Sequence, residues 1–400
     1  MMQLALPGSP HLTYCTNIHA GETWAEIEAA LRCHLPAVKA RVSPDQPMGV
    51  GLRLSAIAAS ELKGPQALVR FKSFLEHGGF YVFTVNAFPY GPFHGGRVKE
   101  QVYEPDWRTP ERLAFTSGVA DILSELAPVG QTSSISTVPC AFKASITSEV
   151  DVSRMADALV HCAAHLHDLV IAKGRTIVLA LEPEPACYLE TTQEAISFFK
   201  THLFAKRARS LMSALSGLSS GASETALHRH LGLCFDVCHS AVAFEDVGST
   251  LEAVSHAGIN VAKLQLSTAL RIDCTGPEIE TALAAFDDGI YLHQTVQSYD
   301  GLLTRHTDLA DAFSSLRRGE AGGEWRVHCH VPVFVDRFEA LRSTQQNLRD
   351  VLALCRKRAV SPHLEVETYT WGVLPPALRS QDLSHDIARE LSWVRAELGA

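Results

Sequence analysis

Two Glu-x-Glu pairs stand at the ends of apolar runs in this sequence. Glu182 and Glu184 follow Leu179-Ala180-Leu181, and Glu365 and Glu367 flank Val366. Three other runs end in comparable side chains: Asp236 and His239 after Leu233-Cys234-Phe235, Lys263 and Gln265 around Leu264, and His328 and His330 around Cys329. Side chains two apart on a strand point to the same face, so each Glu-x-Glu pair and His328/His330 shares one. An ionised carboxylate trapped between a sheet and its helices would lose hydration without gaining a partner. The face carrying these groups is therefore expected to be one where a substrate, a cation or an ion-pair partner is met. Paired carboxylates suit general acid–base proton transfer. With Asp236 and the Gln265 carbonyl they make an oxygen-rich set for Mg²⁺ or Mn²⁺, and imidazoles in reach would also admit Zn²⁺, Co²⁺ or Fe²⁺. Plainer roles stay open: ion pairs closing the top of a fold, Asp236 as a helix cap, Gln265 as a hydrogen-bonded core amide, and the two histidines as a lining pair.

The elements that would position these groups alternate. Strand candidates are 11–16, 50–55, 80–86, 176–182, 231–236, 260–266, 326–331 and 363–367, separated by amphipathic stretches such as 149–173, 191–216, 338–357 and 380–398. Such alternation predicts a parallel sheet, and eight units predict closure into a (β/α)8 barrel. Active sites in that fold lie at the C-terminal ends of the strands. We read residues 1–400 as one barrel domain with inserted segments 87–148 and 270–325, after the third and sixth expected strands. A Ser/Gly/Ala-rich stretch at 213–224 interrupts a helical region, and Ile290 to His293 is a weak candidate for a ninth strand.

Composition bounds the class. The chain has 400 residues, 46% hydrophobic and 20% charged, with a formal net charge of −9. That charge argues against a nucleic-acid partner, which needs clustered Lys and Arg. No apolar run approaches the roughly 18–20 residues of a bilayer span, and Met1 to Pro10 lacks the pattern of a signal peptide. The ten cysteines are scattered without a Cys-x-x-Cys pair, which fits reduced thiols and a cytoplasmic location.

The ordered set Leu181-Glu182-Pro183, Asp236-x-x-His239, Lys263-x-Gln265 and Leu364-Glu365-Val366-Glu367 resembles the xylose-isomerase-like TIM barrels, which include sugar epimerases, hydroxypyruvate isomerase and endonuclease IV. Longer strings are similar to the EboE-type metabolite traffic proteins: His11 to Glu22, Asn86-Ala87-Phe88-Pro89-Tyr90-Gly91, Tyr103-Glu104-Pro105-Asp106-Trp107, Lys263 to Ser267 and His363 to Trp371. The first resemblance implies a metal held by Glu182, Asp236, Gln265 and Glu365, with Glu182 and Glu365 as the proton-transfer pair and His239 facing substrate. The second implies a secondary-metabolite pathway that includes a membrane protein.

The expected activity is metal-dependent isomerisation or epimerisation of a sugar- or cyclitol-like polyol through a cis-enediolate, with Mn, Mg, Co or Zn as cofactor. His328, His330, Lys263, Glu184 and Glu367 are expected around the substrate. Segment 87–148 is expected to form a lid hinged at Gly91, Gly95 and Gly96, with Trp107 as its hydrophobic roof. Two alternatives are metal-dependent phosphoester hydrolysis of the endonuclease-IV-like type and non-catalytic binding of an intermediate handed to the membrane partner. Arg97, Lys99 and Arg108 could make the lid a phosphate-binding one. Asn17, His19 and Glu22 are candidates for the mouth, Arg53 and Lys263 for counter-ions to carboxylates inside the barrel, and His161 with His165 for a surface helix face.

Overall fold

The computed structural model describes residues 2–273 and 278–400; residues 274–277 of the expected second insertion, including Cys274, lie outside it. Eight strands form one parallel sheet: β1 (His11–Tyr14), β2 (Met48–Arg53), β3 (Phe80–Asn86), β4 (Ser133–Thr137), β5 (Ile177–Leu181), β6 (Leu231–Asp236), β7 (Asn260–Leu266) and, after a long excursion, a strand at His363–Val366. The excursion carries β8 (Leu270–Asp273), β9 (Thr295–Tyr299), β10 (Leu302–His306), β11 (Glu324–Val327), β12 (Arg337–Phe338) and β13 (Leu341–Ser343), so the last barrel strand is β14. The barrel order is β1-β14-β7-β6-β5-β4-β3-β2. Most barrel-strand residues are buried, as expected where helices cover a sheet whose other face fills the barrel.

Closure between β1 and β2 relies on side chains. A single backbone bridge joins Cys15 to Gly51. Thr13 supplies the rest, its Oγ1 donating to Gly49 O at 2.9 Å and accepting from Gly51 N at 3.1 Å. Thr16 Oγ1 accepts from Arg53 N at 2.9 Å. The glycines of β2 leave room for large neighbours: a Cβ on Gly51 would lie 1.7 Å from Glu365 Oε1, and one on Gly49 would lie 2.5 Å from Phe83 Cε1.

The expected strand count of eight holds, but its membership does not. The stretch 326–331 is not a barrel strand. Its first residues belong to β11, which pairs antiparallel with β8 and β9 in a second, six-stranded sheet. That sheet has its own core around Leu270, Ile272, Phe313, Trp325 and Val327. The strand missing from the expectation is β4, Ser133-Ser134-Ile135-Ser136-Thr137, which has no apolar run yet is wholly buried. Three of its four hydroxyls find partners inside the fold: Ser134 Oγ pairs with Thr84 Oγ1 and His363 Nδ1, both at 2.8 Å, Ser136 Oγ accepts from Lys263 Nζ at 3.3 Å, and Thr137 Oγ1 accepts from Trp107 Nε1 at 3.2 Å, while Ser133 Oγ has none.

The insertions shift accordingly. Residues 87–132 connect β3 to β4 and include the helix Pro110–Leu126. The second insertion follows the strand expected, Asn260–Leu266, which is the seventh of the barrel rather than the sixth. Ile290 to His293 forms no strand, and 213–224 spans the junction of helices Lys206–Ser216 and Ser220–His230, turned by Gly217 at φ +70°. The helix Glu149–Lys173 has the expected limits, capped by Ser148 and Gly174. Nine cysteines are free among the described residues, all buried except Cys33. No described helix is long and apolar enough to cross a membrane.

Gly51→Ala is expected to cost about 1–3 kcal/mol, the usual penalty for overfilling a packed interior. Gly91→Ala, with nothing within 4 Å of its Cβ position, should change stability by less than about 0.5 kcal/mol. Urea denaturation of both variants checks this; equal midpoints would show that β2 is not closely packed against Glu365.

Candidate active site at the barrel mouth

The C-terminal ends of three barrel strands bring three carboxylates together. Glu182 follows β5, Asp236 ends β6 and Glu367 follows β14; one oxygen of each lies within 4.8 Å of the others, and all three residues are buried. Glu367 Oε1 accepts from Asn17 Nδ2 at 2.7 Å and Asn86 Nδ2 at 3.1 Å. Asp236 Oδ1 accepts from His239 N at 3.0 Å and Ser267 Oγ at 2.7 Å, capping the short helix Val237–Val242. Its Oδ2 and Glu182 Oε2 have no hydrogen-bond partner. Burial, then neighbouring carboxylates, push Glu182 and Glu367 well above the ordinary range. For Asp236 burial also opposes charge, but the nearby imidazoles, when protonated, and the hydrogen bonds from Ser267 and the His239 amide outweigh it and hold the group low.

Three imidazoles face the same volume with their protons committed elsewhere. His239 Nδ1 lies 2.9 Å from Pro183 O, and His330 Nδ1 lies 2.8 Å from Glu367 O. A carbonyl only accepts, so each Nδ1 carries the hydrogen. His328 Nδ1 lies 2.7 Å from Gln294 Oε1. The amide orientation follows from its other end, where Nε2 donates to Tyr103 Oη, Glu184 Oε1 and Pro185 O at 2.8–3.2 Å. In the neutral rings every Nε2 is then a bare lone pair. Those of His239 and His328 stand 3.1 Å apart, and those of His239 and His330 each lie 3.9 Å from Asp236 Oδ2. Burial lowers the affinity of all three for a proton, His239 to about 4. A histidine whose second nitrogen is fixed by a carbonyl is the usual form of a metal ligand. Unpartnered oxygens on Glu182 and Asp236 beside bare Nε2 atoms fit a divalent cation, and the mixed O/N donor set suits Mn²⁺, Co²⁺, Zn²⁺ or Fe²⁺ as well as Mg²⁺.

Glu365 is not in this group of converging carboxylates. Glu365 lies one pleat deeper, where its Oε2 is 2.5 Å from Lys263 Nζ and both side chains are fully buried. Burial alone would strip the lysine of its proton, but Glu365 reverses the shift and keeps it cationic. Gln265 sits between Asp236 and Glu365 in register, with neither amide atom partnered. Glu184 joins His239 and His328 in a neighbouring group; it accepts from Tyr103 Oη at 2.6 Å, and burial raises its carboxyl to about 7.

Other expected residues distribute as follows. Asn17 reaches the mouth; His19 instead stacks on His34 at 4.2 Å, and Glu22 pairs with Arg53 at 2.9 Å. Trp107 is buried in the main core and does not line the cavity. Lys99 pairs with Asp308 and Arg108 with Asp106, while Arg97 is exposed, so these three do not converge on a phosphate pocket. His161 is exposed and His165 contacts Asp121. Tyr291, Gln294 and Tyr369 were not anticipated. Gln294 and Tyr291 carry no motif, whereas Tyr369 stands in the string that begins at His363.

The two insertions meet above the carboxylates. Val98 N and Lys99 N donate to Ile290 O at 2.8 and 2.9 Å, and Tyr291 Oη donates to Phe93 O at 3.0 Å. Beneath them lies a cavity of about 60 Å³ lined by Glu182, Glu184, Glu367, His239, His328 and His330 and by aromatic and aliphatic side chains. The cavity is open to solvent rather than enclosed, so an occupant is not confined to this volume.

No family model and no curated protein matches the chain. Among solved structures, a xylose isomerase-like TIM barrel protein from Mycobacterium smegmatis in complex with magnesium is similar, with a TM-score of 0.51 and 9% identity over 98% of this chain and 97% of that one. An IolI protein with a bound zinc atom (TM-score 0.44, 12% identity, 97% and 98% covered) and a D-tagatose 3-epimerase-like protein (0.43, 10%, 97% and 97%) are more distant. The fold is therefore a xylose-isomerase-like TIM barrel.

Lys263→Met should leave Glu365 buried without its cation and cost about 3–5 kcal/mol, whereas Lys263→Met combined with Glu365→Leu should recover most of that loss. Chemical denaturation of the two variants is the check. Additive losses would show that the pair is not coupled.

Proposed function

We propose that this protein is a metal-dependent isomerase or epimerase acting on a sugar- or cyclitol-like polyol through a cis-enediolate. The observation that carries the reading is the buried convergence of Glu182, Asp236 and Glu367, with Glu182 Oε2 and Asp236 Oδ2 unpartnered, beneath the two insertions. Glu182, Asp236 and Glu367 would hold the cation, with His239 and His330 within reach through the shared neighbour Asp236. When bound, the ion polarises adjacent carbonyl and hydroxyl oxygens, which acidifies the carbon between them. Glu182 and Glu367 approach the cavity from β5 and β14. One takes the proton from that carbon and the other returns it. This assigns the second proton-transfer role to Glu367 rather than to Glu365, which serves as the counter-ion of Lys263. His239 and His328 present acceptors to substrate hydroxyls, Glu184 orients Tyr103 and Gln294, and the two insertions shield the enediolate from side reactions.

A second reading, metal-assisted phosphoester hydrolysis, draws on the Glu184–His239–His328 group as a second cation site. The pathway context, with a membrane partner and a cytoplasmic setting, rests on the EboE-type resemblance; a carrier without turnover is the corresponding non-enzymatic reading.

Metal analysis of the purified protein separates these: one ion per chain supports the isomerase, two or three the hydrolase, none the carrier. In deuterated water, the wild type is expected to exchange a carbon-bound hydrogen of its ketose or inosose substrate. Glu182→Gln and Glu367→Gln should lower that exchange by about 10²–10⁴-fold and weaken metal binding. Glu365→Gln should leave metal stoichiometry intact. Full exchange in Glu367→Gln would remove that residue from the mechanism.

A further inference from the structure

We infer that the ligand of the barrel mouth is an uncharged, two-sided molecule, with adjacent oxygens at one end and an apolar body at the other. This rests on the polyol reading above and narrows it.

The cavity lining is of two kinds. Its floor is made of carboxylates, imidazoles and the amides of Asn17 and Asn86. The rest of the lining is mostly apolar, with Phe88, Phe93, Val98 and Leu292 beside the rings of Tyr291 and Tyr369, the latter 4.8 Å from His330. Phe93, Tyr291 and Tyr369 form one cluster, with ring centres 5.0–5.3 Å apart. Tyr291 directs its hydroxyl to Phe93 O and so removes a polar group from the wall. A bare polyol carries hydroxyls on every side. Those turned to this wall would leave water without gaining a partner, which costs free energy. An apolar substituent in the same place gains by burial.

Charge narrows the class further. Lys99 is the one cationic Lys or Arg in the lining, and it is already paired with Asp308. Asp308 in turn accepts from His293 N and Leu309 N, both at 3.0 Å, so the pair is fixed from both ends. Lys263 is committed to Glu365 and Arg53 to Glu22. The helix that starts after β6 offers no free amide end, because Asp236 caps it. A phosphate or carboxylate would therefore face Glu182, Glu184 and Glu367 with no free lysine or arginine beside it and only the cation of the proposed site as counter-charge, an arrangement that disfavours anions. An amine would compete for the same oxygens that the cation site needs. A neutral head with vicinal oxygens meets neither obstacle.

The test is a titration of the full-length protein, with and without Mn²⁺, against four probes: 1-phenyl-1,2-ethanediol, glycerol, glycerol 3-phosphate and 2-phenylethylamine. The phenyl diol is expected to bind at least tenfold more tightly than glycerol, and glycerol 3-phosphate and the amine more weakly than the phenyl diol. Val98→Thr and Phe93→Ala, each confirmed as folded by circular dichroism, should reduce the ratio of phenyl diol to glycerol affinity. A ratio near one in the wild type, including no binding of either diol, overturns the inference, as does preference for the phosphate or for the amine. The ranking is read without turnover. Absence of deuterium exchange would therefore count against the isomerase and leave this ranking standing, whereas exchange on a bare polyol with a ratio near one would do the reverse.

Discussion

The interior of this barrel holds more carboxylate than it can neutralise from its own side chains. Glu182, Asp236, Glu365 and Glu367 crowd one channel, and Lys263 is the single lysine or arginine buried among them. Its attraction to Glu365 at 2.5 Å settles one carboxylate and leaves three. Much of the local architecture follows. Gly51 must lack a side chain because Glu365 lies against it. β4 must be built of serine and threonine because His363 and Lys263 need hydroxyls across the channel. The mouth carboxylates must share protons or a cation, since three desolvated charges so close together cannot all persist alone.

The strands that carry the chemistry were legible because carboxylates and imidazoles at the ends of apolar runs are rare in packed interiors. β5, β6, β7 and β14 all had such runs. β4 was not legible for the opposite reason: hydroxyl-rich sequence reads as loop, and only the partners supplied by other strands make Ser133–Thr137 a core element. The stretch 326–331 misled because alternation cannot tell which sheet a strand joins. Its pairing is antiparallel, within an insertion whose strands were too short and too exposed to signal themselves; β10 is mostly exposed.

The choice between Glu365 and Glu367 illustrates a limit of period-two reasoning. Residues two apart share a face but not a depth. Both glutamates point into the barrel, yet the deeper one meets Lys263 and the upper one meets Asn17 and Asn86. The lysine was visible in the sequence as a counter-ion, and its register with the neighbouring strands was not. His328 and His330 show the complementary case. Their shared face was apparent, but their role depends on Gln294 and on the Glu367 carbonyl, which fix the ring tautomers from elements remote in sequence.

Asp236 joins the local and the chemical explanations of the site. One oxygen caps the helix Val237–Val242, the structural role that an aspartate at this position would take in any strand–helix junction. That bond holds the carboxylate plane and so turns the second oxygen toward the imidazoles, where it lacks a hydrogen-bond partner and lies 3.9 Å from two ring nitrogens. Helix capping and an unpartnered donor oxygen are therefore consequences of one orientation rather than competing roles. The same logic applies to His239, whose backbone amide completes the cap and whose ring, fixed by Pro183 O, turns its Nε2 toward His328 and Asp236. A junction stable enough to persist without a ligand thus presets the donors, so that binding need not first order them.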